Sequence, residues 1–217
     1  MKTIYAILLT LLIGFESQAQ QSIKGSFRSK EYPEIVYNLI DGYFVETKFN
    51  ISNKTFEYTW GGPYTKEGNK LIVLTHFDSR DKSVVGKNKE ITFNTKNLEV
   101  IDKGENALAG NWRMSGRKTG EQFSENPLRA RRTYKLLTGT RFQWFAINIE
   151  TGEFSGTGGG TYQFINGKYT ENIEFFSRDN SRVGASLQFS AKVEEGKWHH
   201  SGLSSKGDPI YEIWTRD

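Results

Sequence analysis

A chain of 217 residues with no cysteine has no disulfide framework and no site for a lipid-modified N-terminal Cys, so its stability must come from a core. Lys and Arg total 29 against 25 Asp and Glu; the resulting +4 is that of an ordinary mixed surface and gives no argument for a nucleic-acid partner. Aromatic residues are plentiful (15 Phe, 10 Tyr, 5 Trp), proline is scarce at 4, and helical apolar spacing is hard to find beyond the N-terminus.

Lys2, the apolar stretch from Ile4 to Phe15 and the small-x-small sequence Ser17-Gln18-Ala19 read as a secretory signal over 1–19, too short and wrongly flanked for a membrane span. The mature chain is then expected to begin at Gln20, without an integral membrane span. Export without disulfides fits a bacterial periplasm or secreted pool.

Short alternating runs come next along the chain: "EIVYNLI" at 34–40, "YFVETKFNI" at 43–51, "KLIVLTHF" at 70–77, "RFQWFAINI" at 141–149, "SLQFSAKV" at 186–193 and "YEIW" at 211–214, separated by turn signals. They predict an all-β chain of hairpins. "GTGGGTY" at 156–162 is no phosphate loop, because it leads into a β-type run and then the hairpin signal Asn166-Gly167. Its glycines read as kinks or bulges that bend a sheet.

"FFSRDNSRVG" at 175–184 matches "FDSRDKSVVG" at 77–86 in seven of ten positions, an offset of 98 residues. Held without a gap, that offset gives 17 identities over residues 39–86, among them Gly61-Gly62 with Gly159-Gly160 and Tyr64 with Tyr162; chance would give roughly three. Upstream, Gly25-Ser26-Phe27-Arg28 aligns with Gly110-Asn111-Trp112-Arg113 at offset 85, so the second copy carries a 13-residue insertion, expected as a mobile loop within 115–128. The reading is a signal at 1–19 and two tandem repeats, 20–103 and 104–217, each an antiparallel meander of seven to nine strands closing toward a barrel. The first lacks an equivalent of "WHHSG…YEIWTRD" and is expected to be open or incomplete.

Two-residue periodicity puts Leu71, Val73, Thr75 and Phe77, with Tyr169, Glu171, Ile173 and Phe175, on the inner face, and His76, Asp78, Thr170, Asn172 and Glu174 in solvent. The repeated "SRDxS" segment reads as a hairpin connection in which Arg80 and Arg178 pair with Asp81 and Asp179.

Gly110-Asn111-Trp112 opening a meander with Arg216 at its end resembles the lipocalin and wider calycin pattern, in which a G-x-W on the first strand packs under an Arg from the chain's end. Residues 110–217 also look like the lipocalin-like secreted proteins of the Bacteroidetes, through "GTGGGTY", "GKYTENIEFFS" and "KWHHSG…EIW". The first copy departs from the pattern, with Phe27 for Trp112 and no closing Arg. The resemblance implies a binder of small, mostly apolar molecules in the barrel mouth, and no reaction.

Four residues form the candidate ligand site. Glu171 places a carboxylate on the inner face where the first copy has Val73; it is either satisfied by an internal Arg or Lys or at a wet rim, or a polar anchor in an aromatic pocket. His200 shares the inner face if Trp198 points inward, and His199 then points away, which argues against a metal site. Trp144 and Tyr162 offer stacking surfaces or ordinary core. No catalytic residue, cofactor or metal is assigned, and oligomeric state is left open. Two other readings stand beside the binder: a secreted enzyme using Glu171 and His200 as an acid/base pair on a glycan or small metabolite, and a pocketless module that binds a protein. Cleavage after Ala19 predicts an exported protein whose N-terminal sequence starts at Gln20; a retained signal, or a start beyond about Ser26, would contradict it.

Overall fold

The computed structural model describes residues 23–204 and 206–216, so the expected signal and its cleavage site lie outside the described residues. The chain is nearly all β. Strands β1 (Gly25–Ser29), β2 (Ile35–Ile40), β3 (Tyr43–Asn50), β4 (Thr55–Glu67), β5 (Lys70–Leu74), the short β6 (Phe77–Asp78), β7 (Asn88–Thr92) and β8 (Leu98–Asp102) make one antiparallel sheet. Strands β9 (Gly110–Thr119), β10 (Gln122–Glu125), β11 (Arg131–Leu137), β12 (Arg141–Asn148), β13 (Phe154–Ile165), β14 (Lys168–Phe176), β15 (Ser186–Glu194), β16 (Lys197–Leu203) and β17 (Pro209–Thr215) make another. Because β17 pairs back onto β9, the strands β9 and β11 to β17 form a closed eight-stranded barrel, compatible with a lipocalin-like fold. The first sheet runs β7-β5-β4-β3-β2-β1-β8 and stays open between β7 and β8, where the barrel has β16. Among the described residues no helix is long and apolar enough to cross a membrane.

Details recur at the offsets read from the sequence. Gly25 stands opposite Leu39 and Gly110 opposite Leu137. Register shifts fall between Lys48 and Phe49 and between Ala146 and Ile147. The glycine corner is a bulge between Gly159 and Gly160, and a side chain at Gly160 would drive its Cβ into the carbonyl oxygen of Asn172, as one at Gly62 would into that of Leu74. Glycine is required there because strand β13 crosses its neighbour's backbone at contact distance.

Four local expectations are corrected. Residues 115–128 are not a loop: β9 runs on to Thr119 and returns as β10 through a tight turn with Gly120 at φ +58. The bulges reverse the facing of the residues beyond them, so Phe77 and Phe175 leave their sheets' interiors and pack on the opposite half, at 4.7 Å from Phe145 and 4.6 Å from Phe49. By the same reversal Asp78 stands opposite Trp60 and is buried rather than in solvent, gripped by Arg80 at 3.0 and 2.8 Å. Asp81 and Asp179 instead cap 3₁₀ turns at Lys82–Val84 and Asn180–Arg182, accepting from the amides of Ser83 and Ser181, and Arg178 donates to the carbonyl of Ser155.

The closing contact of the barrel is present: the Arg216 guanidinium lies 4.4 Å from the Trp112 ring centre and donates to the Ala109 carbonyl at 2.6 Å, while Trp112 Nε1 donates to Leu108 O at 2.8 Å. The two halves meet through the outer faces of their sheets. Tyr43, Val45 and Phe77 pack with Tyr134, Phe145 and Ile147, which explains why β3 and β12 are apolar on both faces. At the centre Gln143 accepts from the Thr47 hydroxyl at 2.9 Å and donates to Thr59 and Thr157, both at 3.1 Å.

Asp102, ending β8, ties the first half to the β11–β12 turn. It accepts from the amides of Gly139 (2.8 Å), Gly104 (2.8 Å) and Thr140 (3.0 Å) and from the hydroxyls of Thr138 (2.8 Å) and Thr140 (2.9 Å). Burial pushes its carboxyl up, but these donors outweigh it and hold the group below the usual carboxylate range. A carboxyl lowered by folding contributes stability above its unfolded value, about pH 4, and loses it as the pH falls through the folded value. Asp102→Asn is therefore expected to cost about 1–3 kcal/mol in urea unfolding at pH 7, with the gap to wild type narrowing below about pH 4; an equal gap at pH 7 and pH 3 would refute the linkage.

Candidate functional site

The barrel holds a cavity of about 230 Å³ that opens to solvent. Alternation on its strands builds the lining: Thr133 and Lys135 from β11, Phe142 and Trp144 from β12, Glu171 and Ile173 from β14, Leu187 and Phe189 from β15, His200 from β16, and Ile210, Glu212 and Trp214 from β17. Met114 of β9, Gly159 of β13, Ser204, and Phe176, brought round by the β14 bulge, complete the wall. Three of the four candidate residues, Trp144, Glu171 and His200, share this space. Tyr162 is not among its lining residues: it is core, its ring 5.5 Å from Tyr169 and its hydroxyl donated to the Thr138 carbonyl at 2.7 Å.

Glu171 is satisfied from within. Lys135 Nζ lies 2.7 Å from its Oε1, and the Tyr169 hydroxyl donates to the same oxygen at 2.8 Å. Burial, and after it the Glu171 carboxylate, pushes the Tyr169 phenol well above its ordinary range, so it stays a donor. The ammonium of Lys135 also lies 5.2 Å from the Trp214 ring centre and 5.5 Å from those of Tyr169 and Trp198, so aromatic faces replace part of its lost water.

His200 is buried, in contact with Phe189 at a ring separation of 4.2 Å, and its Nδ1 stands 3.2 Å from Glu212 Oε2. Burial and then the Lys135 cation push the imidazole down, which leaves it neutral at pH 7. Burial pushes the Glu212 carboxyl up, but His200, Lys135 and Arg117 outweigh it and keep the group ionised. An ionised carboxylate only accepts, so the proton is assigned to Nδ1, and Nε2 remains a buried acceptor with no partner among the described residues. His199 points to the other face, 2.8 Å from the Tyr211 hydroxyl. Glu171 and His200 are thus each committed to another partner, Lys135 and Glu212.

Trp144 is half-buried, edge-on to Phe176 at 5.4 Å, and Gly158 makes its place: a Cβ there would come within 2.7 Å of the indole nitrogen. Sequence reasoning missed Lys135 and Glu212, although the signal exists. Lys135 alternates in phase with Thr133 and Leu137, and Glu212 with Trp214. In the first half the offset brings Tyr37, Glu46 and Val73 to the places of Lys135, Trp144 and Glu171, so the buried ion pair has no counterpart there.

Breaking the pair is expected to cost more than deleting it. Glu171→Leu leaves Lys135 buried and uncompensated, about 3–5 kcal/mol in urea unfolding, whereas Lys135→Met with Glu171→Leu recovers most of that loss. A double variant as unstable as the single one would refute the coupling. Compared with protein-family models and with curated protein sequences, the chain matches none at a significant level.

Proposed function

We propose that the chain is an exported binding protein for a small, mostly apolar molecule, held in the second barrel, and that its halves derive by duplication from one lipocalin-like unit of the kind seen in secreted proteins of the Bacteroidetes. The observation that carries the binding reading is the cavity itself: aromatic and aliphatic walls, with Lys135, Glu171, His200 and Glu212 as its charged or titratable groups. Such a mixture of apolar area and a few fixed polar groups is the usual make-up of a ligand site. The acid/base reading draws less support, since the geometry pairs Glu171 and His200 with other residues and leaves Glu171 ion-paired. In the first half Trp60, Leu71, Val73 and Phe93 pack in the corresponding interior, and Tyr37, Glu46 and Phe93 line a concavity of about 420 Å³ that lacks the buried ion pair.

Titration of the tryptophan fluorescence with 1-aminoanthracene, an apolar probe, tests this. One saturable site is expected, with affinity about tenfold weaker in Trp144→Ala, which removes a stacking surface. Leu187→Trp, which fills the cavity, should abolish binding while the protein stays folded. Undiminished binding by a folded Leu187→Trp protein would refute the assignment of the cavity.

A further inference from the structure

We propose that the molecule held in the barrel carries an anionic headgroup, a carboxylate or a phosphate or sulfate monoester, which docks on Arg117, Arg129 and Arg131 at the barrel mouth. The proposal rests on the binding reading above and adds the chemical class of the ligand.

The register of the strands puts the arginines there. Arg117 of β9 stands opposite Glu212 of β17, and cross-strand partners share a face, so Arg117 looks toward the mouth from the side where Glu212 lines the cavity. On β11 the alternation Arg131, Thr133, Lys135 runs along one face, from the strand's start to the buried ion pair. Together with Arg113, Arg129 and Arg132, these two line a concavity of about 360 Å³ whose acidic member is Glu125 alone. That concavity shares Met114 and Thr133 with the barrel cavity, so the two adjoin at these residues.

The arginines divide into supports and open cations. Arg113 is buried and donates to the Asn126 carbonyl at 2.9 Å, and Arg132 donates to the Arg129 carbonyl and to the Tyr134 hydroxyl; both brace the backbone that carries the others. Arg117, Arg129 and Arg131 are exposed; none lies within ion-pair distance of a carboxylate among the described residues, and of the three Arg117 also acts at longer range on Glu212. Five arginines in one concavity stand out on a chain of net charge only +4. Like charges brought this close repel, and a bound anion relieves them; the planar guanidinium fork suits carboxylate and phosphate oxygens. Deeper in, the Lys135 charge is already neutralised by Glu171 at 2.7 Å. The place for a ligand's negative charge is therefore the mouth, with the apolar part directed inward.

Octanoate, octyl phosphate and neutral 1-octanol, which share one chain, separate headgroup from tail when each displaces 1-aminoanthracene from the wild-type protein and from the Arg129→Gln/Arg131→Gln variant; both substituted residues are exposed. Octanoate or octyl phosphate is expected to bind about tenfold tighter than 1-octanol in low salt, an advantage lost in the variant and reduced by 0.5 M NaCl, while 1-octanol binds both proteins alike. Inorganic phosphate alone should compete only weakly with octyl phosphate. Equal affinities for octanoate and 1-octanol in the wild type, or a preference that survives in the variant, would overturn the headgroup site and leave the apolar pocket standing. Failure of every chain compound to displace the probe would overturn both.

Discussion

The structure depends on the contact between the outer walls of its two sheets. An antiparallel sheet ordinarily shows water one of its faces, and here each half gives up part of that face to the other: Tyr43 stacks on Phe145 at 5.7 Å, and Phe49 packs on Phe175. An open sheet such as the first could not hold its shape alone, because its edge strands β7 and β8 lack the partner that β16 supplies in the barrel. Docking on a closed barrel gives it a second layer. The Gln143 cluster at the centre then fixes the relative setting of the halves, since its hydrogen bonds are satisfied in one register only, whereas apolar surfaces tolerate sliding.

Closure in the second half has a chemical consequence. A complete ring of strands buries Lys135 and Glu171 against each other at 2.7 Å, beside a cavity that packed side chains do not fill. The open half has Val73 at the place of Glu171 and no counterpart of the ion pair. The inner faces of the two sheets thus differ in chemistry through a few positions on β11, β12 and β14.

Much of this is legible in the residues. The alternating runs place the strands, the repeat offset places the glycine corners, and Glu171 and His200 come to the interior by parity alone. The Trp112–Arg216 contact agrees with the calycin resemblance. The features that stay hidden have a common cause. Two-residue parity holds only between bulges, so it puts Phe175 and Asp78, which lie beyond bulges, on the wrong sides. The docking of sheet on sheet is hidden too, since an apolar outer face reads no differently from an inner one. Residues 115–128 read as a loop because they are polar, yet a hairpin projecting into solvent needs no apolar face of its own.

The pairing of β17 with β9 joins Tyr211 to Lys118, and Thr215 to Arg113, across nearly the whole second half. Contacts so distant in sequence make folding slow, because the intervening chain must be ordered before they form. The barrel cannot close until β17 is ordered between β16 and β9. Until then the strand edges of β9 and β16 and the aromatic interior stand open to other chains, and the pairing of β17 ends that exposure.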